Sequence, residues 1–113
     1  GQQVRDFIYI KDAVAMTLFF YDNPDIGGLF NIGTGKARSW NDLAGAVFAA
    51  MGKEPAIDFI DMPDTLRDKY QYFTQADISK LRAAGYAAPT ISLEDSVADY
   101  VQQYLMKDEY LGI

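Results

Sequence analysis

Arg5-Asp6-Phe7-Ile8-Tyr9-Ile10-Lys11-Asp12 is the stretch on which the reading of this chain turns. Two adjacent charges lead into four residues that are β-branched, apolar or aromatic, the composition of a short strand at Phe7–Ile10. Asp12 follows where a side chain can cap a helix, and the apolar run Ala13 to Phe20 predicts that helix to about Asp22. Its interior is apolar on every face, so it requires cover from several sides. Two further stretches converge on the same surface in this reading: Asn31-Ile32-Gly33-Thr34-Gly35 and Tyr70-Gln71-Tyr72-Phe73-Thr74-Gln75-Ala76-Asp77.

Outward from there, Leu29–Ile32 reads as a second strand ended by Gly33 and Gly35, and Ala56–Ile60 as a third, ended by Pro63. Ser39 and Asp42 form a Ser-x-x-Asp cap for a helix over Ser39–Met51, with Gly52 as its C′ residue. Leu43, Val47 and Met51 give that helix an apolar stripe. Asp64 to Tyr70 reads as a polar loop. Thr74 and Asp77 cap a short helix closed by Gly85. Ser92 and Asp95 cap the last helix, whose buried face is Leu93, Val97, Val101, Tyr104 and Leu105. The order β-α-β-α-β-α-α predicts a mixed α/β lobe spanning residues 1–113 as one unit.

The net charge of -6 argues against a nucleic-acid partner, which selects a basic face, yet a few local cations suffice to hold a phosphate. With 0 Cys and 0 His there is no thiolate nucleophile, disulfide or imidazole base, and no conventional zinc site. No apolar run approaches the ~20 residues that span a bilayer, so no membrane partner is expected and the cytoplasm is the expected compartment. The chain opens Gly1-Gln2-Gln3 without Met, as a piece of a longer protein would.

Gly33-Thr34-Gly35 begins like a dinucleotide fingerprint, but Arg38 stands where its third glycine belongs. A Walker A reading fails on Phe30 and Ala37. These glycines mark either a tight turn or a close approach of backbone to a ligand. None of the 8 tyrosines has Lys four positions on, so a phenol activated by a lysine one helical turn away is absent, and no residue is assigned a catalytic role. Arg5 is the leading binding candidate, because a planar guanidinium before a strand can grip a diphosphate. Its alternative use is an ion pair with Asp6 or Asp12. Tyr70 follows Arg67 and Lys69, so a phenol and two cations can share a patch, with a solvated basic loop as the alternative. Tyr9, Phe19, Phe20 and Trp40 read as core.

The stretch Arg5-Asp6-Phe7-Ile8-Tyr9-Ile10-x-Asp12-Ala13, with Asn31-Ile32-Gly33-Thr34-Gly35, resembles signatures of the extended short-chain dehydrogenase/reductase superfamily of nucleotide-sugar epimerases and dehydratases. Pro63-Asp64-x-Leu66-x-x-x-Tyr70-Gln71-x-x-Thr74-Gln75-Ala76-Asp77 and Leu81-Arg82-Ala83-Ala84-Gly85-Tyr86 are similar to the ADP-glyceromanno-heptose 6-epimerases within it. The resemblance covers essentially the whole chain and corresponds to the last third of such an enzyme. It implies a C-terminal substrate-binding region lacking most of the Rossmann domain, with NADP held by that missing part. It implies redox epimerisation at C6 of ADP-heptose for lipopolysaccharide inner-core synthesis, and a homo-oligomeric parent. Arg5 and Tyr70 match residues that contact the ADP-sugar in the family, and no cofactor-binding residue falls in this chain. Lys36 and Trp40 stand where the family pattern has Arg and Phe. The alternatives are a region of another nucleotide-sugar epimerase or dehydratase, and a free-standing binding module.

Overall fold

A computed structural model describes residues 1–110. Two very short strands, β1 (Val4–Arg5) and β2 (Arg38–Ser39), pair antiparallel with Val4 opposite Ser39 and Arg5 opposite Arg38. The helices are α1 (Ile10–Asp22), α2 (Trp40–Ala50), α3 (Asp64–Arg67), α4 (Ser79–Ala83) and α5 (Leu93–Gln103), followed by a 3₁₀ turn at Leu105–Lys107. On its other edge β1 makes a parallel bridge from Val4 to Phe73. There the Val4 N–H donates to the Tyr72 carbonyl at 2.9 Å and the Thr74 N–H to the Val4 carbonyl at 3.2 Å. The mixed α/β class stands, with far less sheet than the strand propensities suggest.

The three expected strands take no part in a ladder. Residues 7–9, 29–32 and 56–60 carry no strand pairing, because a strand needs a partner's N–H and C=O groups as well as β-branched side chains. Among the described residues the one ladder forms where the chain brings Gln3–Arg5 beside Arg38–Trp40, and the Trp40 N–H donates to the Gln3 carbonyl at 3.2 Å. Helix α1 begins at Ile10, its N-cap is Tyr9, and no side chain caps it. Asp12 is therefore not the cap. It is buried in the first turn, and its carboxylate accepts the Ile91 N–H at 2.8 Å, a tertiary bond that holds the approach to α5.

The caps of α2 and α5 are as the residues dictate. Ser39 accepts the Asp42 N–H at 3.0 Å while Asp42 accepts the Ser39 N–H at 3.0 Å, a reciprocal capping box. Gly52, at φ 66°, ends that helix in the left-handed region that favours glycine. Ser92 accepts the Asp95 N–H at 3.1 Å at the head of α5. Residues 64–67, expected as loop, form one helical turn behind Pro63, which tolerates the first-turn side because it has no N–H to lose. Helix α4 starts at Ser79 rather than near Thr74. Asp77 accepts both the Ser79 N–H (2.9 Å) and its hydroxyl (2.6 Å), whereas Thr74 turns its hydroxyl to Gln71.

Two apolar clusters hold these pieces. Met16 of α1, Leu81 of α4 and Tyr86 form the first, flanked by Ile8, Phe19, Phe20 and Ile78. In the second, α2 packs on α5, and Ala46, Ala50, Leu93 and Val101 of these helices are buried. Val97 is half-buried while Leu105, expected on the buried face, is exposed. The radius of gyration is 16.7 Å, against roughly 13 Å for a compact domain near this length. On α1, Ile10, Val14 and Leu18 line one exposed face at four-residue intervals and Tyr21 continues it at 80% exposure.

Candidate functional site

Arg5 closes β1 half-buried. Its Nη1 donates to the Val4 carbonyl at 2.8 Å, and its guanidinium carbon lies 5.1 Å from the centroid of the Tyr70 ring. Among the described residues the ion pairs are Lys11–Asp99, Arg38–Asp42, Arg38–Glu94 and Arg67–Asp64, so Arg5 pairs with neither Asp6 nor Asp12. A cation over a tyrosine face keeps its full charge, since the ring attracts it without neutralising it. The two binding candidates singled out from the sequence are thus in contact. The cation against Tyr70 is Arg5, while Arg67 turns to Asp64 at 3.5 Å. Tyr70 packs edge-on against Tyr72, ring centroids 6.1 Å apart. It also forms one wall of a cleft of about 450 Å³ shared with Gln3, Trp40, Ile60, Met62 and Leu66.

Asp6, which the sequence offered only as a partner for Arg5, organises the three stretches. Its carboxylate accepts the Thr34 N–H (2.9 Å), the Thr34 hydroxyl, the Gly35 N–H (2.9 Å) and the Ala76 N–H (3.1 Å). Burial pushes its pKa up, but the Thr34 hydroxyl and the three backbone donors outweigh that and hold it below the usual carboxylate value. Further bonds join the same stretches. The Asn31 amide donates to the Asp77 carbonyl at 3.3 Å, and the Ala37 N–H donates to Gln75 Oε1 at 3.1 Å. No spacing rule announces Asp6, because its partners lie 28 to 70 residues away.

The glycine turn gains its explanation here. The N–H groups of Thr34 and Gly35 face the Asp6 carboxylate, so they are not free to cradle a pyrophosphate. Gly33 is buried, and a Cβ on it would fall 2.5 Å from the Ala76 Cβ and 2.9 Å from Asp6 Oδ2. The close approach these glycines allow is therefore to the chain itself. A dinucleotide cofactor does not fit this turn.

The far end of the opening stretch is clamped as well. The Tyr9 hydroxyl donates to Asp99 Oδ2 at 2.6 Å, and Lys11 Nζ reaches the same oxygen at 2.6 Å. Lys11 also lies over the Tyr9 ring (5.6 Å) and the Tyr104 ring (5.5 Å). Burial, then the Asp99 carboxylate, push the Tyr9 phenol up from 10.0 to about 12. The folded state thus prefers the protonated phenol, and that preference contributes fully below pH 10 and is lost as the pH rises towards 12. The stability advantage of the native protein over Tyr9→Phe is expected to shrink across that window, measured by thermal melts at stepped pH. A difference constant from pH 9 to 12 would rule this role out. Tyr9 is accordingly a clamp; Phe19 and Phe20 flank the first cluster, and Trp40, 39% exposed, packs edge-on against Phe7 at 5.1 Å.

Among the described residues no group of three or more His, Cys, Asp or Glu side chains is placed to hold a metal, and no helix is long and apolar enough to cross a membrane. No family model matches the chain. It is 56% identical over 105 residues to an ADP-L-glycero-D-manno-heptose-6-epimerase of Nitratidesulfovibrio vulgaris (strain DP4), covering 93% of this chain and 32% of that protein. The protein of the same name from Fusobacterium nucleatum subsp. nucleatum is 48% identical, with 98% and 36% covered. The chain therefore spans about a third of the length of the curated relatives it matches. Among solved structures, a UDP-glucuronic acid 4-epimerase from Bacillus cereus in complex with UDP-glucuronic acid and NAD superposes with a TM-score of 0.71 at 31% identity, over 91% of this chain and 33% of that one. A UDP-N-acetylglucosamine 4-epimerase from Methanobrevibacter ruminantium M1 shares the fold at a TM-score of 0.77 and 21% identity, over 95% and 33%.

Proposed function

From the premise that this chain is homologous, along nearly all its length, to about a third of the ADP-L-glycero-D-manno-heptose-6-epimerases, we propose that it forms the sugar-nucleotide-binding end of such an epimerase. The observation that carries the reading is Arg5 resting on Tyr70 with no carboxylate pairing it among the described residues. A diphosphate brought to that guanidinium gains two parallel charge-assisted bonds, and the ring beneath restricts the fork so that little orientational freedom is lost on binding. Tyr70 lines the adjacent cleft, where a phenol can bond a sugar or phosphate oxygen. Identities of 48–56% to ADP-heptose epimerases, against 31% to the UDP-glucuronic acid enzyme, favour ADP-heptose as the substrate.

In this reading the chain binds and orients, and no residue of it takes the catalytic proton. The oxidation and reduction at C6 of the heptose belong to a nicotinamide cofactor, assigned as NADP by the family resemblance and held outside these residues, since the turn at Gly33–Gly35 faces Asp6. The parent enzyme is a cytoplasmic homo-oligomer on the same resemblance.

Arg5→Ala, in the protein expressed at its full gene length, is expected to weaken binding of ADP by about 1.5–3 kcal/mol, roughly ten- to more than a hundredfold. Arg5→Lys should recover part of that, because it restores the charge without the fork. Titration calorimetry with ADP reads both. Unchanged affinity in Arg5→Ala, with an unchanged melting temperature, would reduce Arg5 to a structural residue. Turnover of another nucleotide sugar with none of ADP-heptose would replace the substrate assignment.

A further inference from the structure

We propose that Asp6 is the positioning residue of this site: it keeps the Arg5 guanidinium unpaired and fixes the Tyr70-bearing segment beneath it, so that it sets diphosphate affinity without touching substrate. The inference rests on the reading of Arg5 and Tyr70 as substrate contacts.

Asp6 is the carboxylate nearest to Arg5 along the chain. Here each oxygen of the Asp6 carboxylate already accepts two donors: Oδ1 from the Thr34 N–H and hydroxyl, Oδ2 from the Gly35 and Ala76 N–H groups. A carboxylate satisfied four times has little to gain from a fifth donor, and the guanidinium is left for the ring and for an incoming anion. The second half of the argument is topological. Arg5 is flanked by two residues that grip the same segment. Val4 bonds Tyr72 and Thr74, and Asp6 bonds Ala76. Tyr70 stands at the head of that segment, so its distance from Arg5 is fixed from both sides of Arg5 along the chain. Gly33 supplies the room, since any side chain there would meet Asp6 Oδ2 and the Ala76 Cβ.

Asp6→Asn tests this, because it is nearly isosteric yet exchanges one acceptor oxygen for an amide. In either orientation the amide nitrogen faces at least one backbone N–H donor, so part of the clamp is lost. In the protein at full gene length, Asp6→Asn is expected to weaken ADP binding roughly tenfold. It should raise KM for the nucleotide sugar while kcat stays within about twofold, as loss of ground-state binding does. In an Arg5→Ala, Tyr70→Ala background the same change should add less than about twofold, because a residue acting through those two has nothing left to act on. A merely structural Asp6 would weaken ADP equally in both backgrounds, or lower kcat and leave KM alone, and either result overturns the proposal. Unchanged ADP binding in Asp6→Asn does the same. If Arg5→Ala itself binds ADP normally, the site reading falls and this inference with it, an outcome distinct from a failure of Asp6 alone. Should Asp6→Asn not fold, Thr34→Val removes the hydroxyl donor to Asp6, together with the bond that hydroxyl accepts from the Lys36 N–H. It is then expected to weaken ADP about threefold, again only when Arg5 and Tyr70 are present, and no change would overturn the assignment.

Discussion

Gly33→Ala is expected to destabilise the protein by about 2–3 kcal/mol and to weaken ADP binding at the same time. The new methyl carbon would sit 2.5 Å from the Ala76 Cβ and 2.9 Å from Asp6 Oδ2. Neither neighbour is a flexible tip. The Ala76 Cβ moves only with its backbone, and the carboxylate is held by four donors. Relief therefore requires that residues 33–35 part from residue 76, which opens the clamp at Asp6. Gly33 is not among the glycines of positive φ, so the cost is steric and not conformational. Gly52→Ala makes the contrast: its φ is 66°, but its added Cβ meets nothing within 4 Å, so strain alone operates and ADP binding should be untouched. Denaturant titration and calorimetry on both variants separate the two cases. A Gly33→Ala protein of native stability would show that residues 33 and 76 are not packed as described.

Leu81→Ala is expected to cost about 3 kcal/mol, near the middle of the range for emptying a well-packed leucine site. Leu81 is 1% exposed and Met16 0%, and these two side chains are the fully buried pair around which α1, α4 and Tyr86 meet. Helix α4 has only 5 residues, too few to persist by its own hydrogen bonds, so the leucine is what docks it. The melting temperature should fall by roughly 10 °C or more. A change below about 0.5 kcal/mol would mean that the cluster does not carry the fold.

How far the sequence discloses this structure depends on the range of each interaction. Ser39 with Asp42, and Ser92 with Asp95, are pairs three residues apart, so both caps were legible from spacing alone, as were the turns at Gly52 and Gly85. Phe7–Ile10, Leu29–Ile32 and Ala56–Ile60 have strand composition, but composition records only one side of a ladder. Asp12 looked like a cap because it precedes an apolar run; its actual partner, Ile91, lies 79 residues on. The same limit hid Asp6 while leaving Arg5 and Tyr70 visible. A guanidinium and a phenol advertise their chemistry by residue type. A carboxylate that gathers backbone N–H groups from two distant loops does so through geometry that only the folded chain contains.

The clamps also impose a schedule. Asp6 reaches its donors across 28 and 70 residues, and Tyr9 reaches Asp99 across 90. Contacts of such separation close after local ones, because the intervening loop must lose its freedom before the bond returns anything. Helices α2 and α5 can therefore form from neighbouring residues while Arg5 still lacks its final surroundings. On the ribosome, synthesis runs from the N-terminus, so the opening residues wait for nearly the whole of this chain before their partners exist. Arg5, made well before Tyr70, is among the last residues of this chain to find its place.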